Sequence, residues 1–320
     1  MIKQILVTGG AGFIGSNFIH HLLQTSSSYV TNIDSMTYAG KFENMAEFEN
    51  HENYRFFSVD ISNKEQLTKV FDRTYDAIVH FAAESHVDRS IENPSVFLNT
   101  NIIGTNYLLL ALIEGRAKKM IYISTDEVYG SLDKDDLPFT EQSPLAANNP
   151  YSASKAGADL LVRSFYKTYQ APVITIRCSN NYGPRQDEEK FIPKIIARAV
   201  NNEKVPVYGD GLQIRDWLFV TDHCRALSKV LDHGEAGEIY NIGGGNERSN
   251  LDVAKRILDY LGKNCNLICH VKDRQGHDRR YGINWAKIHK ELGWKPVISF
   301  DEGLVRTIEW YKTQFKDGTS

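Results

Sequence analysis

A glycine-rich turn near the start of the chain constrains its fold more than any other feature. Residues 8–15 read Thr-Gly-Gly-Ala-Gly-Phe-Ile-Gly, after an apolar run at residues 2–8 and before a helical pattern at residues 16–24. A strand, a tight glycine turn and a helix in this order are typical of the unit that opens a dinucleotide-binding sheet. The apolar run is therefore predicted to be a buried parallel strand.

Strand-like and helix-like segments alternate through the first half of the chain. Apolar runs predict strands at residues 30–34, 55–60, 76–82, 120–124 and 173–177, and apolar spacing predicts helices at residues 64–72, 94–114 and 152–169. This alternation predicts an α/β fold, a Rossmann-type doubly wound parallel sheet with a smaller C-terminal α/β substrate-binding lobe. We assign residues 1–179, with a return at 217–242, to an NAD-binding Rossmann domain, and residues 180–216 and 243–320 to the lobe.

Charge and cysteine content argue against several other classes of protein. The 320 residues carry a formal net charge of -3 without a long basic stretch, so we expect no nucleic-acid partner. No signal-peptide pattern and no uninterrupted apolar run of bilayer length is present, so we expect no membrane partner. The cysteines, at positions 178, 224, 265 and 269, lack the spacing of a disulfide framework or a zinc site. A cytoplasmic protein without a metal is therefore expected.

Each glycine of the turn has a physical reason to be glycine. Gly9 allows the tight turn, Gly12 lets the backbone approach a pyrophosphate, and Gly15 lets the helix pack against the strand. Asp34 ends the second predicted strand, where its carboxylate can accept hydrogen bonds from ribose hydroxyls and repel the extra phosphate of NADP. A glycine turn without a ligand is the alternative, and the acid in this position favours NAD binding instead.

Further cofactor contacts are predicted where the third and fourth strands end. Asp60 and Ile61 follow the third strand and are placed to hold the adenine edge. Phe81, Ala82 and Ala83 follow the fourth strand, where small residues let the backbone lie against the cofactor. Because ligands bind in the crevice at the carboxyl ends of the strands, these segments are expected to line one cleft.

A tyrosine and a lysine four residues apart provide the first catalytic signal. The segment Tyr151-Ser-Ala-Ser-Lys155 falls on a predicted helix, so both side chains share one face. An ammonium near a phenol favours the phenolate, lowers the pKa of Tyr151 and makes it a usable base. The pair is common by chance, but together with the glycine turn it resembles the extended short-chain dehydrogenase/reductase family. The resemblance extends from Thr8 into the C-terminal lobe.

Two adjacent carboxylates at the end of the fifth strand indicate the type of reaction. Thr125 is followed by Asp126 and Glu127, and the family generally keeps Ser or Thr at the first position to hydrogen-bond the reacting oxygen. One carboxyl group can protonate a leaving hydroxyl while the other removes a carbon-bound proton, if their pKa values differ. The triplet resembles that of family members that dehydrate dTDP-glucose. A turn with two solvated acids is the alternative, which the neighbouring apolar strand disfavours.

The resemblance implies roles for the carboxylates and further binding residues. Tyr151 would take the proton from the carbon 4 hydroxyl, Glu127 the proton from carbon 5, and Asp126 would protonate the departing carbon 6 hydroxyl. NAD is the implied cofactor, with further contacts from Phe13, Ile14, Ser35, Thr37, Thr100, Tyr151, Lys155 and Asn181. The implied contacts to a dTDP-sugar substrate are Ser85, Thr125, Asn180, Lys190, Phe191, Pro206, Tyr208, Arg215, Asn250, Arg274 and His277. The helices at residues 94–112 and 152–169 match the pair that forms a homodimer interface in relatives.

Three other functions compete with dehydration. A sugar-nucleotide 4-epimerase needs Thr125, Tyr151 and Lys155 but has no use for the adjacent carboxylates, and UDP-glucuronate decarboxylases usually lack the first of them. A non-catalytic NAD-binding module would have no need of the tyrosine and lysine. The carboxylate pair therefore favours a dehydratase that supplies deoxysugar nucleotide biosynthesis.

Overall fold

A seven-stranded parallel sheet dominates the computed structural model, which describes residues 3–317. The strands of the protein are, in chain order, β1 (Gln4–Thr8), β2 (Tyr29–Asp34), β3 (Tyr54–Ser58), β4 (Ala77–His80), β5 (Met120–Thr125), β6 (Val173–Cys178), β7 (Asn180–Tyr182), β8 (Val205–Tyr208), β9 (Ile214–Phe219), β10 (Ile239–Ile242), β11 (Glu247–Ser249) and β12 (Ile268–Val271). The large sheet has the order β10-β6-β5-β4-β1-β2-β3, with every neighbouring pair parallel. The α/β fold with a doubly wound parallel sheet is thus confirmed.

The helices predicted at residues 16–24, 64–72 and 152–169 are present, and the one predicted at residues 94–114 is interrupted. The helices of the protein are α1 (Phe13–Thr25), α2 (Lys64–Val70), α3 (Val87–Glu92), α4 (Pro94–Leu98), α5 (Thr105–Ile113), α6 (Pro150–Tyr169), α7 (Phe191–Val200), α8 (Val220–His233), α9 (Asn250–Tyr260), α10 (Ala286–Leu292) and α11 (Phe300–Asp317). The single helix predicted at residues 94–114 contains a π-helical turn, Asn99–Gly104, between α4 and α5. π-Helical turns are rare in proteins, and those that do occur often lie at functional sites.

Both faces of the large sheet are covered by apolar side chains. Along β1, Ile5 and Val7 belong to one buried cluster and Leu6 to another, because successive side chains point to opposite faces of a strand. Residues of α1 and α8 complete the first cluster, and residues of α5 and α6 complete the second. Burial on both faces explains why these strands read as continuous apolar runs in the sequence.

The second lobe is built from two small sheets and three helices. One sheet has the order β11-β9-β7 and the other pairs β12 with β8. A third buried cluster joins α7, α9 and α11 to these strands. The chain returns to the large sheet through α8, which packs against α1, and through β10, which pairs with β6. The assignment of an NAD-binding and a substrate-binding domain stays a prediction.

The helical segment Pro94–Ile113 is long and apolar enough to cross a bilayer, although Asn99, Thr100 and Asn101 interrupt its apolar run. By length and composition it qualifies, with a mean hydropathy of 1.5 over its most apolar window, because it contains no charged residue. In the structure 44% of that window is buried, and the segment packs against α6. A core helix of a water-soluble domain has the same properties, so the segment is weak evidence for a membrane.

Candidate active site

A cleft of about 720 Å³ opens at the carboxyl ends of the strands of the large sheet. Every residue predicted to contact the cofactor lines it: Gly9, Gly12, Phe13, Ile14, Gly15, Asp34, Ser35, Thr37, Asp60, Ile61, Phe81, Ala82, Ala83, Thr100, Tyr151, Lys155 and Asn181. The predicted catalytic residues Thr125, Asp126 and Glu127 line the same cleft. Sequence positions that are up to 172 residues apart, Gly9 and Asn181, are therefore brought together by the sheet.

The glycine turn forms a cradle that side chains would fill. Gly9 has φ +73°, and a Cβ atom added there would lie 2.6 Å from the backbone nitrogen of Ala82. A Cβ on Gly15 would collide with the carbonyl oxygen of Gly9, whereas one on Gly12 would lie 3.3 Å from that oxygen and 4.0 Å from the carbonyl oxygen of Ala39. The backbone at Gly12 is thus less crowded than the backbone at Gly9 or Gly15, which suits the close approach of a pyrophosphate.

Asp34 is fixed at the rim of this cradle by backbone donors. Its carboxylate accepts hydrogen bonds from the Ala11 nitrogen at 3.0 Å and from the Met36 nitrogen at 2.9 Å. Burial raises the pKa of Asp34, and these backbone donors partly offset that effect. The side chain is 7% exposed and lines the cleft, as a ribose acceptor must.

Several buried polar atoms of the cleft lack a partner among residues 3–317. They are Oδ2 of Asp126, Oδ1 of Asn180 and Oε1 of Gln186. Buried polar groups are nearly always hydrogen-bonded, so a cluster of unpartnered ones indicates a site for a polar ligand. A dinucleotide in the glycine cradle and a hydroxylated substrate beside these atoms fit this arrangement. We conclude that the residues present are suited to hold NAD.

The tyrosine and lysine lie on the first turns of α6. Asn149 and Ser152 form a capping box at the start of this helix, which fixes where it begins. The Lys155 ammonium donates to the Ile123 carbonyl oxygen at 2.6 Å and lies 4.4 Å from the centre of the Tyr122 ring. Burial lowers the pKa of Lys155 to about 8. The Tyr151 and Lys155 side chains therefore lie between α6 and β5.

The pKa of Tyr151 does not follow the expectation from sequence. Burial raises it well above its ordinary value, the charge of Glu127 adds to this effect, and the neighbouring Thr125 hydroxyl only partly offsets it. The prediction that the lysine lowers this pKa is wrong for the structure described here. The reason is that desolvation of the enclosed phenol is the largest effect on this pKa and outweighs the hydrogen bond with Thr125.

The adjacent carboxylates sit on a 3₁₀ turn, Asp126–Tyr129, at the end of β5. The Thr125 hydroxyl begins this turn, since it accepts from the Glu127 nitrogen at 3.3 Å and donates to the Asp126 carboxylate at 3.4 Å. Burial raises the pKa of both acids. For Asp126 the charges of Glu127 and Asp216 reinforce burial, whereas for Glu127 the charges of Arg215 and Lys190 oppose it. The two environments therefore push the pKa values apart.

The residues predicted to bind substrate divide into two groups. Ser85, Thr125, Asn180 and Lys190 line the cleft, and the Lys190 ammonium donates to the Ser85 carbonyl oxygen at 2.7 Å. The other predicted residues lie outside the cleft lining: Phe191, Pro206, Tyr208, Arg215, Asn250, Arg274 and His277.

Part of the second group forms a cluster in the lobe. The Arg274 guanidinium lies 5.1 Å from the centre of the Tyr208 ring, and His277 meets that ring edge-on at 6.1 Å. Arg215 donates to the Asp278 carbonyl oxygen at 2.9 Å and lies over the Tyr281 ring. Phe191, Pro206 and Asn250 do not join this cluster; they contribute to the packing and hydrogen bonding of the lobe.

Some residues of the cleft were not predicted from the sequence. Gln186 and Asp187 line it, and their position just after the Asn-Asn-Tyr-Gly-Pro segment could have drawn attention to them. Glu84 lines it beside the predicted Ala83 and Ser85. Asp216 lies outside the lining, but it is buried with a pKa raised to about 6, and its charge acts on Asp126. Nothing in its sequence context marks it as buried.

Comparison with known proteins places this cleft among nucleotide-sugar enzymes. The family model described as GDP-mannose 4,6 dehydratase matches residues 6–307. The low-salt glycan biosynthesis protein Agl12 of Haloferax volcanii is 50% identical, over 96% of this chain and 98% of its own length. The dTDP-glucose 4,6-dehydratase of Neisseria gonorrhoeae is 48% identical, over 97% and 95%. The crystal structure of DesIV, a dTDP-glucose 4,6-dehydratase from Streptomyces venezuelae with NAD bound, superposes with a TM-score of 0.95 at 45% identity, over 98% of each chain.

Proposed function

The chain belongs to the GDP-mannose 4,6-dehydratase family, and from this premise we propose that it is an NAD-dependent dehydratase of dTDP-glucose. The product is the 4-keto-6-deoxy sugar nucleotide, formed by oxidation at carbon 4, loss of water across carbons 5 and 6, and reduction at carbon 6. Full-length relatives at 45% to 48% identity carry this activity in their names. The observation that carries the proposal is the adjacent pair of buried Asp126 and half-buried Glu127 in the same cleft as Tyr151 and Lys155.

NAD, when bound, supplies the acceptor for the carbon 4 hydride and its return to carbon 6. Tyr151 takes the proton of the carbon 4 hydroxyl as that carbon is oxidised, and Thr125 holds the same oxygen by a hydrogen bond. Lys155, anchored on the Ile123 carbonyl oxygen, keeps a positive charge on the helix face that carries the phenol. Thr125, Tyr151 and Lys155 are all buried in the wall of the cleft.

Glu127 and Asp126 carry out the elimination. Once carbon 4 is a ketone, the proton on carbon 5 becomes acidic and the Glu127 carboxylate removes it. The electron pair forms the double bond between carbons 5 and 6, and the carbon 6 hydroxyl leaves as water after it receives a proton from Asp126. Burial beside two other acids raises the pKa of Asp126 and favours its protonated form, whereas Arg215 and Lys190 partly offset the effect of burial on Glu127 and favour its charged form.

Replacement of each acid separates oxidation from water loss. In Asp126→Asn and in Glu127→Gln we expect NAD still to be reduced by dTDP-glucose, because Thr125, Tyr151 and Lys155 are intact. Water loss should fall by about 10²- to 10⁴-fold, which is the usual contribution of a general acid or base. NADH absorbance and product mass report the two steps. Exposed Asp133→Asn serves as the control, and elimination at the wild-type rate in either active-site variant would refute these roles.

The substrate is tested with purified protein to which no NAD has been added. Loss of one water from dTDP-glucose, with none from UDP-glucose or GDP-mannose, would support the proposed reaction, its nucleotide and a retained cofactor. Epimerised UDP-glucose or a decarboxylated uronic acid would point to the competing reactions of the family. If the sugar nucleotides keep their mass and stereochemistry even with NAD supplied, the proposed function fails.

The proposal includes a homodimer formed through α6 and the helical segment Pro94–Ile113. Apolar side chains on these helices remain unusually exposed for their type, between 41% and 56%: Val96, Leu98, Ile103 and Leu160. Exposed apolar side chains on adjoining helices are typical of protein–protein interfaces. Sedimentation equilibrium of wild-type protein and of Leu160→Glu tests it, with a shift from dimer to monomer as the expected result. The cytoplasmic location stays a prediction.

A further inference from the structure

One carboxylate organises the cluster of Tyr208 and Arg274, and the sequence did not single it out. Asp88, on α3, accepts hydrogen bonds from Nε of Arg274 at 2.6 Å and from Nη2 at 2.9 Å. Its Oδ2 also accepts from the Tyr208 hydroxyl at 3.4 Å. The ion pair is partly shielded from water, since the Arg274 side chain is 22% exposed and the Asp88 side chain is 35% exposed. A bidentate arginine–carboxylate contact fixes the plane of the guanidinium.

This contact leaves part of the guanidinium available. Asp88 contacts the edge of the guanidinium formed by Nε and Nη2. No residue among 3–317 accepts a hydrogen bond from Nη1 of Arg274. The guanidinium also lies near the chemistry, since its charge acts on both Glu127 and Lys190. A planar cation with free donors is suited to phosphate oxygens, and an aromatic ring beside it is suited to a nucleobase.

The helix that carries Asp88 is also attached to the catalytic helix. The Ser90 hydroxyl accepts a hydrogen bond from the Tyr151 backbone nitrogen at 3.1 Å and donates to the Val87 carbonyl oxygen. Ser90 is fully buried, and α3 packs against α6. One short helix therefore connects the Arg274 guanidinium at one side to Tyr151 at the other.

We propose that Asp88 is a positioning residue that fixes Arg274 and Tyr208 to receive the diphosphate and base of the substrate, at a set distance from Tyr151. This inference rests on the proposed function for the identity of the nucleotide. Asp88 itself touches no reacting atom; it acts through the guanidinium and the phenol that it holds. Without it, the long arginine side chain would have to be ordered at the moment of binding, which weakens affinity.

The test measures nucleotide binding separately from chemistry. Binding of dTDP to the NAD-loaded enzyme is followed by calorimetry for wild type, Asp88→Asn and exposed Glu92→Gln, a control on the same helix. We expect about tenfold weaker dTDP binding in Asp88→Asn, the usual consequence of losing one charge-assisted contact, and wild-type binding in the control. The KM for dTDP-glucose should rise by a similar factor while kcat changes far less.

A double-mutant cycle with Arg274→Ala distinguishes positioning from a general structural role. If Asp88 acts through Arg274, adding Asp88→Asn to Arg274→Ala should cost little further dTDP affinity. Additive losses, tighter dTDP binding in Asp88→Asn, or an equal loss of NAD binding and melting temperature would each overturn the inference. If wild-type enzyme binds dTDP but removes no water from dTDP-glucose, the proposed function fails, while the cycle still decides whether Asp88 positions Arg274.

Discussion

The two halves of the candidate site, a cofactor half in the cleft and a substrate half that includes residues outside the cleft lining, are built in different ways. In the cofactor half, the binding groups are backbone atoms and side chains at the ends of β1, β2, β4 and β5, so the sheet itself sets their positions. In the substrate half, Tyr208 and Arg274 come from separate loops and strands of the lobe and are held by the Asp88 carboxylate. Dinucleotide binding thus follows from the fold, whereas the nucleotide-sugar recognition that we propose would depend on individual ion pairs, which can be lost one at a time.

The strongest test of this comparison is a glycine replaced in the cofactor half. In Gly9→Val the added carbon would overlap the Ala82 backbone, and neither backbone segment can move without distorting β1 or β4. We expect NAD binding to weaken by about a thousandfold or more, the equivalent of roughly 4 kcal/mol. Fluorescence titration with NAD measures it.

The matched control for this prediction is Gly115→Val. Gly115 has a similarly positive φ of +78°, but an added Cβ there meets nothing within 4 Å. Both variants carry the strain of a left-handed backbone, so their difference isolates the contact with Ala82. Equal NAD affinities in the two variants would show that the cradle has room for a side chain and would remove the contrast between the two halves.

A second prediction concerns how much the burial of Lys155 in the cofactor half lowers the free energy of unfolding. Burial lowers the pKa of Lys155 to about 8 from its ordinary 10.5, so between these pH values the unfolded chain holds a proton that the folded chain has released. Stability without NAD should therefore rise as the pH increases through this window, and below pH 8 the full penalty, roughly 3 kcal/mol, applies. Lys155→Met should remove it, which would stabilise the protein at pH 7 and flatten the dependence while abolishing turnover.

Urea unfolding of the NAD-free protein at pH 7 and pH 10 measures this effect. Lys167→Met, at an exposed position on the same helix, is the control and should change neither value by more than about 0.5 kcal/mol. The unpaired Ile123 carbonyl oxygen will reduce the gain in Lys155→Met. If Lys155→Met is destabilised at pH 7, the buried ammonium is better compensated by its surroundings than its pKa implies.

The difference between the cofactor half and the substrate half also explains which features could be predicted from the sequence. The turn at Gly9, the acid Asp34 and the pair at Asp126 were recognised because each follows a continuous apolar run, and the ends of parallel strands meet at one edge. The cofactor residues therefore converge as predicted, and the fold class is confirmed. Their binding roles stay predictions.

The lobe was less predictable for a physical reason. Strand β9 reads Ile-Arg-Asp-Trp-Leu-Phe, in which buried Arg215 and Asp216 interrupt the apolar pattern, and its partners β7 and β11 have only three residues each. Asp88 has no local signal either, because its partner Arg274 lies 186 positions away. Elements that exist through tertiary contacts leave no periodic trace in the sequence.

The smallest expected effect concerns ion pairs between side chains of the cofactor half. The segment at residues 184–190 lies opposite the segment at residues 37–47, and both contribute to the cleft lining. Ion pairs join them: Lys41 to Asp187 at 3.1 Å and Arg185 to Glu47 at 2.8 Å. Partly exposed ion pairs individually contribute little to the free energy of unfolding. We therefore expect these two pairs to affect the rate at which NAD leaves rather than folding.

Lys41→Glu should therefore speed NAD release by about fivefold at low salt, close to the 1 kcal/mol upper range for one such pair, and less at high salt. The charge-swapped variant Lys41→Glu with Asp187→Lys should restore slow release, because the pair is re-formed in reverse. Stopped-flow displacement of bound NAD by an excess of a fluorescent analogue measures the rate. A swap that releases NAD as fast as Lys41→Glu alone would mean that the pair does not close the cleft, and the cofactor half would then be governed by its backbone throughout.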